Sequence, residues 1–215
     1  MLSEYGIYLH ILIDILLRVP GIIIAVTLHE YTKVRVCTAL GDIRPKQDGR
    51  LTLNPLKQME PIGFIFMCAL GFGWGKPVRM APNHYEPANR RRNTLIVYAV
   101  PIFVNLLIGA LFAAGAMLMR IYAPVQPAPM VYMYLYLGVV GVAISNLTFA
   151  FFQFIPIYPL AGERVLALFL KPMAVVKMVQ YQGILQVLLM IAMAGGWIGK
   201  MIHPLCRAIL MGLQV

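Results

Sequence analysis

The stretch "VTLHEYTKV" (residues 26–34) decides how this chain is read, because it closes an apolar run of 22 residues, Ile7 to Leu28, with His29, Glu30 and Lys33. At about 1.5 Å of rise per residue such a run is roughly 30 Å long, enough to cross the hydrocarbon of a bilayer. It also carries Asp14, Arg18 and Pro20, so it is not a plain anchor. Ionisable side chains held in a membrane cost at least a few kcal/mol, which makes His29, Glu30 and Lys33 functional candidates.

The composition agrees with a bilayer environment. Of 215 residues 60% are hydrophobic and 12% charged, with a mean hydropathy of +0.78. A soluble domain is about half apolar and about a quarter charged. No Ser/Gly-rich or charged linker divides the chain, so residues 1–215 are read as a single membrane domain. No cleavable secretory signal is expected at Met1–Gly6, which lacks basic residues ahead of the apolar run. Cys37, Cys68 and Cys206 lie far apart without zinc-type spacing and read as small buried hydrophobes.

The net charge of +10 is a topology signal rather than a nucleic-acid signal. Eleven of the 18 Lys/Arg fall between Lys33 and Arg92: six in loop 33–57 and five in loop 76–92, against none in 121–130. Basic loops mark the cytoplasmic side. Both lie on one side only if "PIGFIFMCALGFGWG" (61–75), some 15 residues and short for a span, enters and leaves by the same face. A re-entrant segment is therefore expected there, with the N-terminus outside. "GDIRPKQDGRLTLNP" (41–55) predicts turns around a short β-like element over 43–55. Further spans are expected at Thr94–Met119, Met130 to about Ile155, and Ile184–Ile202, with a short helix at Arg164–Leu170. That makes four crossings. Gly109, Ala110, Ala113, Ala114 and Gly115 suggest close helix packing. "NRRRN" (89–93) reads as a topology determinant with anionic-lipid contact as a second role. The aromatics of "MVYMYLYLG" (130–138) read as an interfacial belt.

A zinc protease helix uses His-Glu-x-x-His because residues i and i+4 share a face. Both imidazoles then reach one metal, and the glutamate activates the bound water. His29 and Glu30 open that pattern, but Lys33 stands where the second histidine belongs. The dipeptide alone is weak, and a structural histidine satisfied by a neighbour is the plainer reading of it.

Three stretches together carry more: "HEYTKVRVCTALGDIRPKQDGRLTLNPL" (29–56), "GFGWGKPV" (71–78) and "NLTFAFFQFIPIYPLAGERVL" (146–166). In this order and spacing, over roughly residues 20–170, the chain resembles the site-2 protease family. These are zinc metalloproteases that cut within or beside the membrane, and the compact group without a PDZ domain is the nearest match. The resemblance implies an all-α polytopic membrane fold. It also implies a zinc held by two histidines and a late aspartate, with the glutamate as general base. Carried over, His29 and Glu30 match, Lys33 replaces the second histidine, and Ala161 replaces the aspartate. Val100 stands for a glycine, Asn105 falls one place late, and Gln153 stands for an asparagine, while Asn146 and Gly162 match.

A catalytic zinc needs about three protein ligands besides water. Ala161 offers no donor, and the Lys33 ammonium has no lone pair unless its pKa falls by several units. Glu163 lies two residues from Ala161 and His84 lies in a loop; Cys37, eight residues from His29, is about 12 Å away along a helix. Lys33 can instead pair with Glu30, three residues before it, and with Glu163, so that an ion pair fills the old metal site and joins segments one and four. Alternatively it snorkels to the interface.

The sequence is thus read as a catalytically degenerate, site-2-protease-like membrane protein without a cofactor, and the resemblance to the compact group implies the bacterial inner membrane. Glu30 is a remnant base, His29 a remnant ligand, and Lys33, Glu163, Asn146 and Gly162 are structural. It binds lipid and another membrane protein, as regulator, chaperone or subunit, and no nucleic acid. The alternative is an active intramembrane zinc protease with Glu163 or His84 as unorthodox ligands.

Overall fold

A computed structural model describes residues 2–80, 85, 87–122 and 129–212. The described residues form helices joined by turns, in the order α1 (Leu2–Ala39), α2 (Arg44–Gln47), α3 (Pro55–Gln58), α4 (Pro61–Leu70), α5 (Arg90–Ile121), α6 (Met130–Phe152), α7 (Ala161–Ala167), α8 (Pro172–Gln180), α9 (Gln182–Ala194) and α10 (Trp197–Gly212). Three helical stretches are long and apolar enough to cross a bilayer: Ile15–Ala39, Arg90–Ile121 and Met130–Phe152. This is an integral-membrane helical protein. The pair α8 and α9, bent by 61°, would make a fourth crossing if it acts as one span.

The three long helices form the core, with α6 parallel to α1 and α5 antiparallel to both. Close approach depends on small residues, since lipid gives helices no hydrophobic reason to associate. A methyl group added at Gly21 of α1 would sit 2.8 Å from the Gly141 carbonyl oxygen and the Val142 Cα of α6. One added at Gly109 of α5 would lie 2.7 Å from Leu147 of α6. Ala113 and Ala116 are buried in the same contact region. Gly115, by contrast, has nothing nearer than 4.0 Å.

The first span departs from the expected limits. The helix does not stop near Leu28 but continues to Ala39, and the apolar window is Ile15–Ala39. The polar residues that look like the end of a span, His29, Glu30 and Lys33, are buried against neighbouring helices instead. The expected β-like element over 43–55 is also corrected. That segment contains α2, a turn and the start of α3, each helix opened by proline at a first-turn position where its missing N–H costs nothing. The β-type pairing among the described residues is a single bridge, Met59 to Gly75.

That bridge closes a hairpin. The ten residues of α4 rise about 15 Å, half a bilayer's hydrocarbon. Glu60 caps the helix by accepting the Gly63 N–H at 2.6 Å. Gly71 ends it in the left-handed region at φ 81°. The return leg then lies directly on α4: an added methyl at Gly63 would be 2.2 Å from the Trp74 carbonyl oxygen. Below the hairpin, Gln58 is fully buried. It donates to the carbonyls of Arg50 (2.9 Å) and Thr52 (2.7 Å) and accepts from Arg50 at 3.0 Å.

The expected last span, Ile184–Ile202, is two helices. Gly195 and Gly196 separate α9 from α10, with Gly196 at φ 73°, a conformation that side chains oppose.

Gly21→Val should lower the thermal midpoint in detergent, by an overpacking cost of about 1–3 kcal/mol, while Gly115→Ala should leave it unchanged. Equal melting of the two variants would count against the described α1–α6 crossing.

Candidate functional site

The site lies where α1, α5 and α6 meet, toward the end of the bundle that holds the C-termini of α1 and α6 and the N-terminus of α5. His29 is fully buried, its ring edge-on to Phe149 with centroids 5.1 Å apart. Its Nδ1 lies 2.9 Å from Asn105 Oδ1. Asn105 Nδ2 donates to the Ala25 carbonyl (3.0 Å) and to Asn146 Oδ1 (3.1 Å), and Asn146 Nδ2 donates to the Val142 carbonyl at 2.9 Å. With its amide nitrogen committed to two acceptors, Asn105 presents its oxygen to His29. The histidine must then donate from Nδ1, which leaves Nε2 with the lone pair. Nε2 is buried without a hydrogen-bond partner.

One residue on, Glu30 is 2% exposed and Lys33 6%. Lys33 Nζ donates to Glu30 Oε1 at 2.7 Å, the i to i+3 pairing that one helical face allows. Glu30 Oε2 has no hydrogen-bond partner. The return leg of the hairpin passes over this carboxylate: a methyl at Gly75 would be 2.9 Å from Glu30 Cγ.

The turn after α6 supplies the opposite wall. Gln153 holds it twice, its carbonyl accepting the Gly162 N–H at 2.8 Å and its Oε1 accepting the Ala161 N–H at 3.0 Å. Gly162 has no room for a side chain, since an added methyl would be 2.4 Å from the Phe154 carbonyl oxygen. Ala161 is buried. Glu163 does not join Lys33. Its Oε2 faces Arg164 Nε at 3.1 Å, outside hydrogen-bond geometry. Burial pushes the Glu163 carboxyl above the usual range, against the downward pull of Arg164. The acid–lysine pair therefore lies within α1, and the expected ionic tie between segments one and four is absent among the described residues. The polar tie between helices is the Asn105–Asn146–His29 network. A cavity of about 30 Å³ is bordered by Glu30, Lys33, Gly75, Tyr98, Gln153 and Arg164. That is space for a water-sized group, far less than a peptide requires.

Among the described residues the donor set does not fit a catalytic zinc. His29 Nε2 is free to ligate, but the positions beside it hold an ammonium and a methyl group. Among the described residues no three of His, Cys, Asp and Glu converge as a metal would require. Cys37 is turned away, its sulfur 3.1 Å from the Tyr85 hydroxyl. His84 lies outside the described residues.

Asn105 is the residue whose role sequence reasoning missed. An amide in the middle of an apolar span was the available signal, since such a group must find partners. Comparison with known proteins follows the same outline. The chain is 29% identical over 159 residues, 74% of its length and 71% of the relative, to the Bacillus subtilis (strain 168) protein named "Putative zinc metalloprotease YwhC". This similarity supports a site-2-protease-like relationship. No model of a known protein family matches the chain, and no solved structure gives a significant match.

Lys33→Met leaves the buried Glu30 carboxylate unpaired and should destabilise the protein by roughly 3–5 kcal/mol. The double variant Lys33→Met/Glu30→Gln should recover most of that loss, as read by melting in detergent. A Lys33→Met variant as stable as the parent would mean that the ammonium serves the interface and not Glu30. Asn105→Leu should cost about 1–3 kcal/mol, because it leaves His29, Asn146 and the Ala25 carbonyl without their partner.

Proposed function

We propose that this protein is a catalytically degenerate, site-2-protease-like membrane protein that retains the protease scaffold for binding another membrane protein. The observation that carries the reading is the Lys33–Glu30 ion pair at 2.7 Å, which puts an ammonium where a second zinc ligand would stand and engages the carboxylate that would serve as base. The methyl of Ala161 at the third position and the 30 Å³ cavity support it. His29 is then a ligand without a metal, oriented by Asn105 as metal-bound histidines are oriented by an outer carbonyl or carboxylate. Lys33, Glu163, Asn146 and Gly162 act structurally. In the bilayer α4 enters and returns by one face, which places the basic loops together on the cytoplasmic side of a bacterial inner membrane.

The partner's transmembrane helix lies along an apolar groove of about 470 Å³ between α5 and the α6–α7 turn, walled by Ala99, Phe103, Phe154, Val165 and Phe169. Phe103 is 73% exposed there. The groove borders Gln153 and Gly162, so a bound helix would touch the turn that carries Ala161. The protein acts through that contact as a regulator, chaperone or subunit. The other reading, an active zinc protease with Glu163 as a ligand, has no support in the placement of that carboxylate against Arg164.

Metal content per chain, measured by mass spectrometry after zinc reconstitution, tests the reading. The parent should hold well under one zinc. Lys33→His/Ala161→Asp should take up about one, and lose it again when His29→Ala is added, because three ligands then converge. One zinc in the parent, lost in His29→Ala, would overturn the proposal.

A further inference from the structure

Away from this site, the last quarter of the chain has an unusual charge pattern. Residues 164–215 contain Arg164, Lys171, Lys177, Lys200 and Arg207 and no aspartate or glutamate. Two of these cations, with His203, fall at i, i+3 and i+7 of α10 and share one flank of the helix. All three are exposed, and no carboxylate pairs with Lys200 or Arg207 among the described residues. They border a groove of about 540 Å³ whose floor includes Gly196 and Gly199 and whose far side includes Phe72. The His203 ring is stacked on Phe72, centroids 5.6 Å apart at 20°. This holds the imidazole against the wall of the groove.

On another side of the same helix, Trp197, Met201 and Leu205 are exposed at i, i+4 and i+8. Its third face is buried: Ile202 and Cys206 pack in the core, with Cys206 Sγ 3.6 Å from Thr148 Oγ1. Phe72 also lies against Phe152, at 5.8 Å between centroids. These contacts set α10 level with the last turn and a half of α6, near the end of the bundle where Arg90–Arg92 begin α5. A helix with Trp and apolar side chains on one side and Lys/Arg on another is built for the membrane interface rather than for crossing.

We infer that the groove beside Lys200, His203 and Arg207 binds the phosphate headgroup of an anionic phospholipid, with the acyl chains over the Trp197–Met201–Leu205 face. The occupant follows from charge and shape together. Three cationic or hydrogen-bonding donors line one wall of a groove of headgroup size, no acid among the described residues pairs with them, and the apolar surface needed by acyl chains is on the same helix. A soluble acidic peptide would leave that apolar face uncovered. The site is independent of the zinc-ligand positions, from which α10 is separated by α6.

The test is native mass spectrometry of the purified full chain in detergent, titrated with phosphatidylglycerol and, separately, phosphatidylcholine. One phosphatidylglycerol should be retained in preference to phosphatidylcholine. Lys200→Gln/Arg207→Gln should weaken that binding roughly 25-fold, about fivefold for each charge, and His203→Ala should weaken it less. Arg90→Gln/Arg92→Gln, on the other basic cluster, should leave it unchanged. Equal retention of the two lipids would overturn the site. So would an equal loss in both double variants, which would indicate diffuse attraction, or full displacement by millimolar inorganic phosphate, which would indicate a free-anion site.

Discussion

An amide buried in an apolar bundle must find partners, and Asn105 finds three: the Ala25 carbonyl and His29 of α1, and Asn146 of α6. The rest of the structure depends on this. Three helices that have no hydrophobic reason to prefer one register are fixed relative to one another by donors and acceptors that cannot be satisfied if any helix slides by a residue. In a membrane each such bond is worth about 0.6 kcal/mol on average, too little to account for stability alone. Its contribution is specificity. Small residues at Gly21 and Gly109 let the backbones come close enough for the network to close. The network in turn determines where Glu30 and Lys33 stand.

Charge is handled differently a turn further along. Glu30 and Lys33 neutralise each other within one helix, so no neighbouring helix is needed to hold the pair. Glu163 has the half-exposed Arg164 beside it. Glu30 on α1 and Glu163 on α7 thus each face a cation of their own helix, and the space between them is bordered by Gly75, Tyr98 and Gln153. An ionic bridge across that space would have linked α1 to α7 directly; instead the neutral amides of Asn105 and Asn146 tie α1 to α6, and Gln153 ties α7 to the end of α6.

Much of this was legible in the sequence. Excess apolar residues and the clustering of Lys/Arg gave a helical membrane protein, and His29, Glu30, Lys33, Ala161 and Gly162 stood out through their place in recognisable stretches. What could not be read were features that depend on burial. Polarity after Leu28 resembled a helix end because a sequence cannot show that α5 and α6 shelter those side chains. The Leu/Thr alternation of 51–53 resembled a strand, though Gln58 draws its carbonyls into a knot of turns. The apolar run from Ile184 concealed a break at Gly195–Gly196, where local backbone geometry outweighed hydropathy. In the sequence Asn105 stands out only by its offset, since its partners come from residues 41 and 76–80 positions away.

The double hold of Gln153 on the turn at 161–162 has a consequence for how such a protein changes over time. Both bonds go to backbone N–H groups, and Gly162 is required by the Phe154 and Ile155 carbonyls whatever stands before it. The side chain at 161 takes no part in keeping its own place. Residue 161 can therefore drift between an oxygen donor and a methyl without the scaffold registering the difference, so chemistry and architecture are inherited separately here. A change at 161 leaves that frame intact in either direction, whereas any side chain at 162 would meet the Phe154 and Ile155 carbonyls and take the frame with it.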